Sequence, residues 1–122
     1  MRLQLHITLV QERTTVAASL KAKGNAAYQQ RQFSTAIDYY TRAIAITPKP
    51  EPVFFSNRAA CYVNLNPPQH EKVVEDCDAA LAFDKKYVKA LNRRATALEA
   101  LERLEEALRG TSAYSYLDMA YS

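Results

Sequence analysis

Apolar residues recur every three or four positions along most of this chain, which is the spacing of one face of an α-helix. The clearest runs lie at residues 36–44 and 73–81. Helix-breaking residues separate the runs, with Pro48 after the first pair and Pro67 and Pro68 inside the second. The pattern predicts an all-α chain of three helix pairs, at residues 17–31 with 33–46, 52–65 with 70–83, and 86–101 with 104–118.

The first sixteen residues have a different pattern, because apolar and polar side chains alternate from Met1 to Leu9. A period of two is typical of a strand, but no neighbouring strand is predicted to pair with it. We expect residues 1–16 to form a loosely ordered or partly helical arm, outside the domain at 17–122. The longest apolar run, residues 7–10, is far shorter than the roughly 20 residues of a membrane span. No signal-peptide cleavage pattern follows it.

Composition favours one small helical domain. The chain has 122 residues, 48% of them hydrophobic, and 2 glycines, so it can form a single core but lacks the glycine of a turn-rich β fold. Cys61 and Cys77 occupy packing positions in predicted helices and do not have zinc-site spacing with His6 or His70. We interpret them as buried reduced thiols, which favours a reducing compartment, and expect no metal or cofactor.

Two series of small or compact residues keep the same interval: Gly24, Ala59 and Ala95, and Ala36, Val73 and Ala107. The first series is spaced by 35 and 36 residues, close to the roughly 34-residue period of a helix-turn-helix repeat. This pattern resembles the tetratricopeptide repeat over residues 17 to about 109. The resemblance implies repeats at 17–51, 52–85 and 86–122, the last atypical, stacked into a short right-handed solenoid with a concave groove.

Charge separates by helix type. The predicted first helices of the three pairs carry one acid, Glu99, and these basic residues: Lys21, Lys23, Arg31, Arg58, Lys86, Lys89, Arg93 and Arg94. The second helices are mainly acidic. Because first helices line the concave surface in the family that this chain resembles, the resemblance implies a positive groove with a negative outer wall.

Five polar residues recur in register in the predicted first helices: Lys21, Asn25, Asn57, Lys89 and Arg93. Two pairs of them are four residues apart, so both members of each pair lie on one helix face. The set is similar to the dicarboxylate clamp of chaperone-binding tetratricopeptide repeats. The resemblance implies that these five residues bind peptide carboxylates, and that the partners are the Glu-Glu-Val-Asp C-terminal tails of the seventy- and ninety-kilodalton heat-shock chaperones.

The segments at 52–62, 71–76 and 87–95 look most like the chaperone-docking domain of mitochondrial preprotein import receptors, in a form similar to the fungal ones. That resemblance implies a place at the cytosolic face of the mitochondrial outer membrane. The receptor family's transmembrane anchor and further repeats do not occur in this sequence, so we interpret the chain as a fragment, a truncated product or a shortened relative. A cytoplasmic co-chaperone adaptor with the same clamp is the alternative.

Other function classes fit less well. No nucleophile triad, Cys/His pair or paired-carboxylate site stands apart from the helix faces, so we do not expect an enzyme. The net charge of +3 is modest for a nucleic-acid-binding protein. We expect no nucleic acid and no membrane contact by this chain itself.

The C-terminal end does not follow the repeat pattern. Gly110 is expected to interrupt the last helix, because glycine costs about 1 kcal/mol in a helix interior. Tyr114, Leu117 and Met119 would then form an exposed apolar end. We expect this end either to pair with a second copy of the chain or to fray.

Overall fold

Five α-helices make up the computed structural model, which describes residues 1–121 and the side chains of residues 1–109. They are α1 (Arg2–Gln29), α2 (Phe33–Ile46), α3 (Pro52–Asn64), α4 (His70–Phe83) and α5 (Val88–Tyr121). Each helix packs on the next one in the chain, and α3 also contacts α1 and α5. No strand occurs within residues 1–121. The all-α repeat fold is confirmed.

Small residues let the paired helices approach closely. Ala36 and Ala43 on α2, and Val73 and Ala80 on α4, are completely buried. The closest approach is at Gly24, where an added Cβ would lie 2.5 Å from a ring carbon of Tyr40. A side chain at residue 24 would therefore push α1 away from α2. Glycine at the start of the first small series is a packing requirement.

Residues 2–16 are helical and form the first half of α1. An isolated strand would leave its N–H and C=O groups without partners, whereas a helix satisfies them locally. The alternating sequence gives this helical segment no single apolar face, and Leu3 and Leu5 are exposed. Within the described chain, no helix has the length and apolarity needed to cross a membrane.

The third predicted helix pair is a single continuous helix. α5 has no turn near residue 102 and also continues through Gly110, so both of those predictions are wrong. Residues 97–109 are rich in Ala, Leu, Glu and Arg and contain no glycine or proline, and the ion pairs Glu99–Arg103 and Glu105–Arg109 support the helix at i,i+4 spacing. Ala95 is therefore exposed, whereas its counterparts Gly24 and Ala59 are buried.

The predicted apolar end formed by Tyr114, Leu117 and Met119 lies outside the residues whose side chains are described. The division of the chain into an arm and three repeats remains a prediction.

Candidate carboxylate-binding groove

A cavity of about 320 Å³ lies where α1, α2, α3 and α5 meet. Its lining residues are Asn25, Tyr28, Gln29, Tyr40, Asn57, Ala60, Lys89 and Arg93. Four of the five predicted carboxylate-binding residues thus meet at one cavity, although α1 and α5 are far apart in the sequence. We call this cavity the groove.

Lys21, the fifth predicted residue, lies one helical turn before Asn25 on α1. Its Nζ is 5.7 Å from the centroid of the Phe54 ring, within the range of a cation–π contact. The structure therefore places this ammonium group over an aromatic ring of α3, one turn away from the residues that line the groove.

The side-chain oxygen of Asn25 accepts two hydrogen bonds. The Tyr40 hydroxyl donates to Asn25 Oδ1 at 2.5 Å, and Asn57 Nδ2 donates to the same atom at 3.3 Å. A carbonyl oxygen has two lone pairs, so these donors occupy its acceptor capacity. The NH2 group of Asn25 is left as the end that can serve a ligand.

Tyr40 is 2% exposed, and this burial raises the pKa of its hydroxyl to about 12. The repulsion that an ionised Tyr40 would feel near Cys61 and Tyr28 adds to the increase. The hydroxyl stays protonated at physiological pH and remains a donor to Asn25.

Arg93 is oriented by Ser56, which is completely buried on α3. Arg93 Nη1 donates to the Ser56 carbonyl at 2.9 Å and to Ser56 Oγ at 2.6 Å. Among residues 1–109, no acidic side chain pairs with Arg93 or with Lys89. The groove therefore holds two positive charges without a protein counter-charge, as an anion-binding site requires.

Two other basic residues, Arg58 and Arg94, were predicted to contribute to the positive groove but instead pair with acidic residues. Arg58 makes two hydrogen bonds to Asp76, at 2.8 Å and 2.7 Å, and a third to Thr41 at 3.2 Å. The hydrogen bond with Asp76 is the main reason that the pKa of Arg58 is raised. The partly buried Arg58–Asp76 pair joins α3 to α4, because an arginine fork fits a carboxylate at two points, and the bond to Thr41 joins α3 to α2.

Arg94 is the second such residue, since its Nε donates to Asp78 Oδ1 at 2.6 Å. Two of the cations predicted for the groove are thus neutralised by acids of α4. The predicted separation of a positive groove from a negative outer wall is wrong at these two positions.

Sequence reasoning missed the groove contacts of Tyr40 and Ser56. Their partners lie 15 and 37 residues away in the sequence, so no local spacing indicates the contacts. The glycine at residue 24 was the one available signal, because it allows a large ring to lie against α1.

A second cavity of about 290 Å³ adjoins the groove and shares Tyr28, Ala60 and Arg93 with it. Its other lining residues are Val63, Asn64, His70, Thr96 and Ala97. Ala60, Val63 and Ala97 give it a mainly apolar wall. The two cavities together join a polar, cationic region to an apolar one.

Comparison with known proteins places this architecture among repeat domains. Residues 17–50 match the family model of the tetratricopeptide repeat. The chain is 45% identical over 80 residues to the heat-shock protein cognate co-chaperone sgt12 of Aspergillus fumigatus, covering 66% of this chain and 23% of that protein. It is 39% identical over 98 residues to the mitochondrial import receptor subunit TOM70 of Saccharomyces cerevisiae, covering 80% of this chain and 15% of the receptor. The chain spans less than a quarter of either relative.

The chain covers a larger share of two similar solved domains than of these relatives. The tetratricopeptide repeat domain of Arabidopsis OM64 superposes with a TM-score of 0.68 at 38% identity, covering 78% of this chain and 76% of that one. The second such domain of Spaghetti (RPAP3), solved bound to the HSP90 peptide SRMEEVD, superposes with a TM-score of 0.75 at 30% identity, covering 92% and 94%.

Proposed function

This chain belongs to the tetratricopeptide repeat family, and we propose that its groove binds the acidic C-terminal tails of the seventy- and ninety-kilodalton heat-shock chaperones. The observation that carries the proposal is the convergence of Asn25, Asn57, Lys89 and Arg93 on one cavity. The similarity to a domain solved with an HSP90 peptide supports the same ligand class. In this proposal the chain is a protein-interaction module and not an enzyme.

The residue types suit a peptide that ends in Glu-Glu-Val-Asp. A terminal aspartate has two carboxylates, and Arg93 and Lys89 can give them charge-assisted hydrogen bonds. Asn25 and Asn57 donate amide hydrogens without adding a competing negative charge. Lys21, one turn before Asn25, reaches the ligand in this proposal by turning away from Phe54.

The expected affinity follows from these bonds. Each hydrogen bond to a charged group contributes about 1.5 to 3 kcal/mol. After the ordering of a flexible peptide is subtracted, the complex should have a Kd of roughly 1 μM. The adjoining cavity, with the apolar wall of Ala60, Val63 and Ala97, would hold an aliphatic side chain upstream of the terminal residue.

We propose further that the chain acts as the chaperone-docking part of a mitochondrial preprotein import receptor, at the cytosolic face of the outer membrane. The similarity to TOM70 supports this role. The similarity to the co-chaperone sgt12 supports a cytoplasmic adaptor as the alternative. The two roles need the same groove, so subcellular location separates them. Recovery of the protein with purified mitochondria supports the receptor, whereas recovery in the cytosolic fraction alone contradicts it.

Calorimetric titration with synthetic tail peptides of both chaperones tests the binding proposal. The free-acid peptides should bind, the same peptides amidated at the C-terminus should bind at least about tenfold more weakly, and salt should weaken the free-acid complex because exposed ion pairs are screened. Equal binding of the amidated and free-acid peptides would exclude a carboxylate clamp. The ratio of the two free-acid affinities also gives the preferred chaperone.

A final part of the proposal concerns self-association. Val88, Leu91 and Leu98 are exposed on α5. We propose that a second copy of the chain covers these residues, because water disfavours exposed apolar side chains that share a helix face.

A further inference from the structure

We infer that Tyr40 is a positioning residue of the groove, whose hydroxyl holds the Asn25 side chain with its NH2 end towards the ligand. The inference rests on the proposed function, since it concerns how the groove selects a carboxylate. Tyr40 itself is buried on α2 and would not have to touch the peptide.

The position of Tyr40 depends on Gly24. Three ring atoms of Tyr40, Cε1, Cδ1 and Cζ, lie within 2.5 to 2.9 Å of the point where a Cβ of residue 24 would be. The ring can therefore lie directly against the backbone of α1. Its hydroxyl then reaches the very next residue, Asn25, at 2.5 Å.

The Tyr40 hydroxyl and the Asn57 side chain together hold the amide of Asn25. Asn side chains can turn by 180° about the last bond and exchange their oxygen with their NH2 group. With the Tyr40 hydroxyl and Asn57 Nδ2 both donating to Asn25 Oδ1, the oxygen is held away from the ligand. Asn57 Nδ2 is a donor only and therefore disfavours the reversed amide, whereas the Tyr40 hydroxyl supplies the shorter of the two bonds that hold Asn25 in place. Without the hydroxyl, that bond is lost and the Asn25 side chain is held less firmly.

The orientation of the Asn25 amide matters because the C-terminal carboxylate of the peptide accepts hydrogen bonds. An outward NH2 donates to a carboxylate, whereas an outward oxygen repels it and would instead accept from a C-terminal amide. The Tyr40–Asn25 bond would therefore act on specificity: it favours a free carboxylate over an amidated or otherwise capped end. The substrate class that follows is a peptide with an unmodified acidic C-terminus.

The main test compares Tyr40→Phe with Tyr39→Phe, the neighbouring tyrosine on α2, in titrations with free-acid and amidated chaperone tail peptides. Tyr40→Phe keeps the ring and removes the donor, so free-acid affinity should fall about 3- to 10-fold, as expected for one hydrogen bond. The affinity for the amidated peptide should fall less, so the ratio of free-acid affinity to amidated-peptide affinity should decrease. Tyr39→Phe should change neither.

A double-mutant cycle separates orientation from general loosening of the fold. In an Asn25→Ala background there is no amide to orient, so adding Tyr40→Phe should have no further effect on free-acid affinity. The same fold-change in both backgrounds would overturn the inference. If the wild-type protein does not bind the tail at all, the proposed function fails and this inference fails with it.

A measurement on the unmutated protein keeps the inference testable if Tyr40→Phe does not fold. The side-chain NH2 protons of Asn25 in a ¹⁵N-labelled sample should shift downfield when the free-acid peptide binds, and shift less with the amidated one. Binding of the free-acid peptide with no change at the Asn25 NH2 would show that the oxygen, or neither end, faces the ligand, and would overturn the inference while leaving the proposed function intact.

Discussion

Arg93 on α5 and Ser56 on α3 are joined by two hydrogen bonds, from Nη1 to the serine carbonyl and to its hydroxyl. These bonds span 37 residues of sequence and connect α3 to α5. They fix one nitrogen of the guanidinium group and leave the remaining N–H groups available to a ligand. The direction of the strongest proposed donor thus depends on the packing of α5 against α3.

Replacing Arg93 with alanine should therefore weaken binding of the tail peptide by at least about 1.5 kcal/mol, because it removes charge-assisted hydrogen bonds. Helix content should be retained. Arg103→Ala is the matched control, since Arg103 lies on the same helix but pairs with Glu99 on an exposed face. Peptide titration and circular dichroism check both variants. An unchanged Kd for Arg93→Ala would remove this face of α5 from the site.

The turn between α1 and α2 offers a test of local structure. Arg31 has a φ of 61°, in the left-handed region, and the N–H of the next residue, Gln32, donates to the carbonyl of Ala27. This geometry ends a helix and favours glycine. Arg31→Gly should raise the free energy of unfolding by about 0.5 to 1 kcal/mol, after the loss of the Arg31 contact with the Phe33 ring is included.

Gln30→Gly is the control for this prediction, because Gln30 has a φ of −87° and gains nothing from glycine. It should lower the free energy of unfolding by a similar amount. Urea unfolding of both variants measures the difference. A destabilised Arg31→Gly variant would mean that the left-handed conformation is not adopted in solution.

Much of the fold could be predicted from the sequence, because helix spacing and proline positions are local signals. The bounds of α2 and α4 match the prediction, and those of α3 differ by one residue. The turn expected after residue 101 does not form. No glycine or proline occurs there, and the local preference for a helix prevails.

Some residues of the candidate site could also be predicted from local sequence signals, and others could not. Asn25 and Arg93 could be chosen from their register, since helix periodicity determines which face a residue occupies. The role of Arg58 could not, because its direction depends on Asp76, a residue 18 positions later on another helix. Tyr40 likewise contacts Asn25 only because Gly24 lets α1 and α2 approach. Contacts between helices require the packing to be known.

The raised thiol pKa values of the two buried cysteines predict how the free energy of unfolding depends on pH. Burial raises the pKa of the Cys61 thiol to about 12 and that of Cys77 to about 11, and Arg93 partly offsets both increases. In the unfolded chain each thiol ionises near pH 8.5. The folded state keeps its protons, so stability should be constant below about pH 8.5 and fall as the pH rises towards 11 to 12, by roughly 2 kcal/mol per thiol at pH 10.

Urea unfolding between pH 7 and pH 10 measures this loss. Cys61→Ala and Cys77→Ala will each change the absolute stability by leaving a small cavity, but each should also reduce the pH dependence. Tyr40→Phe is the control, because the tyrosine hydroxyl ionises only above about pH 10 in the unfolded chain. An equal pH dependence in the wild type and both cysteine variants would assign the loss to other groups.

The final prediction concerns the exposed apolar side chains of α5. The small residues Gly24 on α1 and Ala59 on α3 are covered, by Tyr40 of α2 and by the α4 core respectively. On α5, Leu91 and Leu98 are 44% and 38% exposed and lie seven residues apart on one helix face. Water disfavours such a stripe, so the wild-type protein should associate with itself as its concentration rises.

The double variant Leu91→Lys, Leu98→Lys should stay monomeric in sedimentation experiments, because two buried charges would oppose the interface. Leu108→Lys, equally on α5 and exposed but away from this stripe, should associate like the wild type. Peptide affinity should be kept in all three proteins, since Lys89 and Arg93 point to the groove.

Hydrogen exchange in a dilute, monomeric sample gives a second measurement. Backbone amides of residues 104–109 should exchange faster than those of residues 33–46, because the side chains of residues 104–109 are exposed. A wild-type protein that remains monomeric at every concentration, with those amides fully protected, would mean that another part of this chain covers the α5 face.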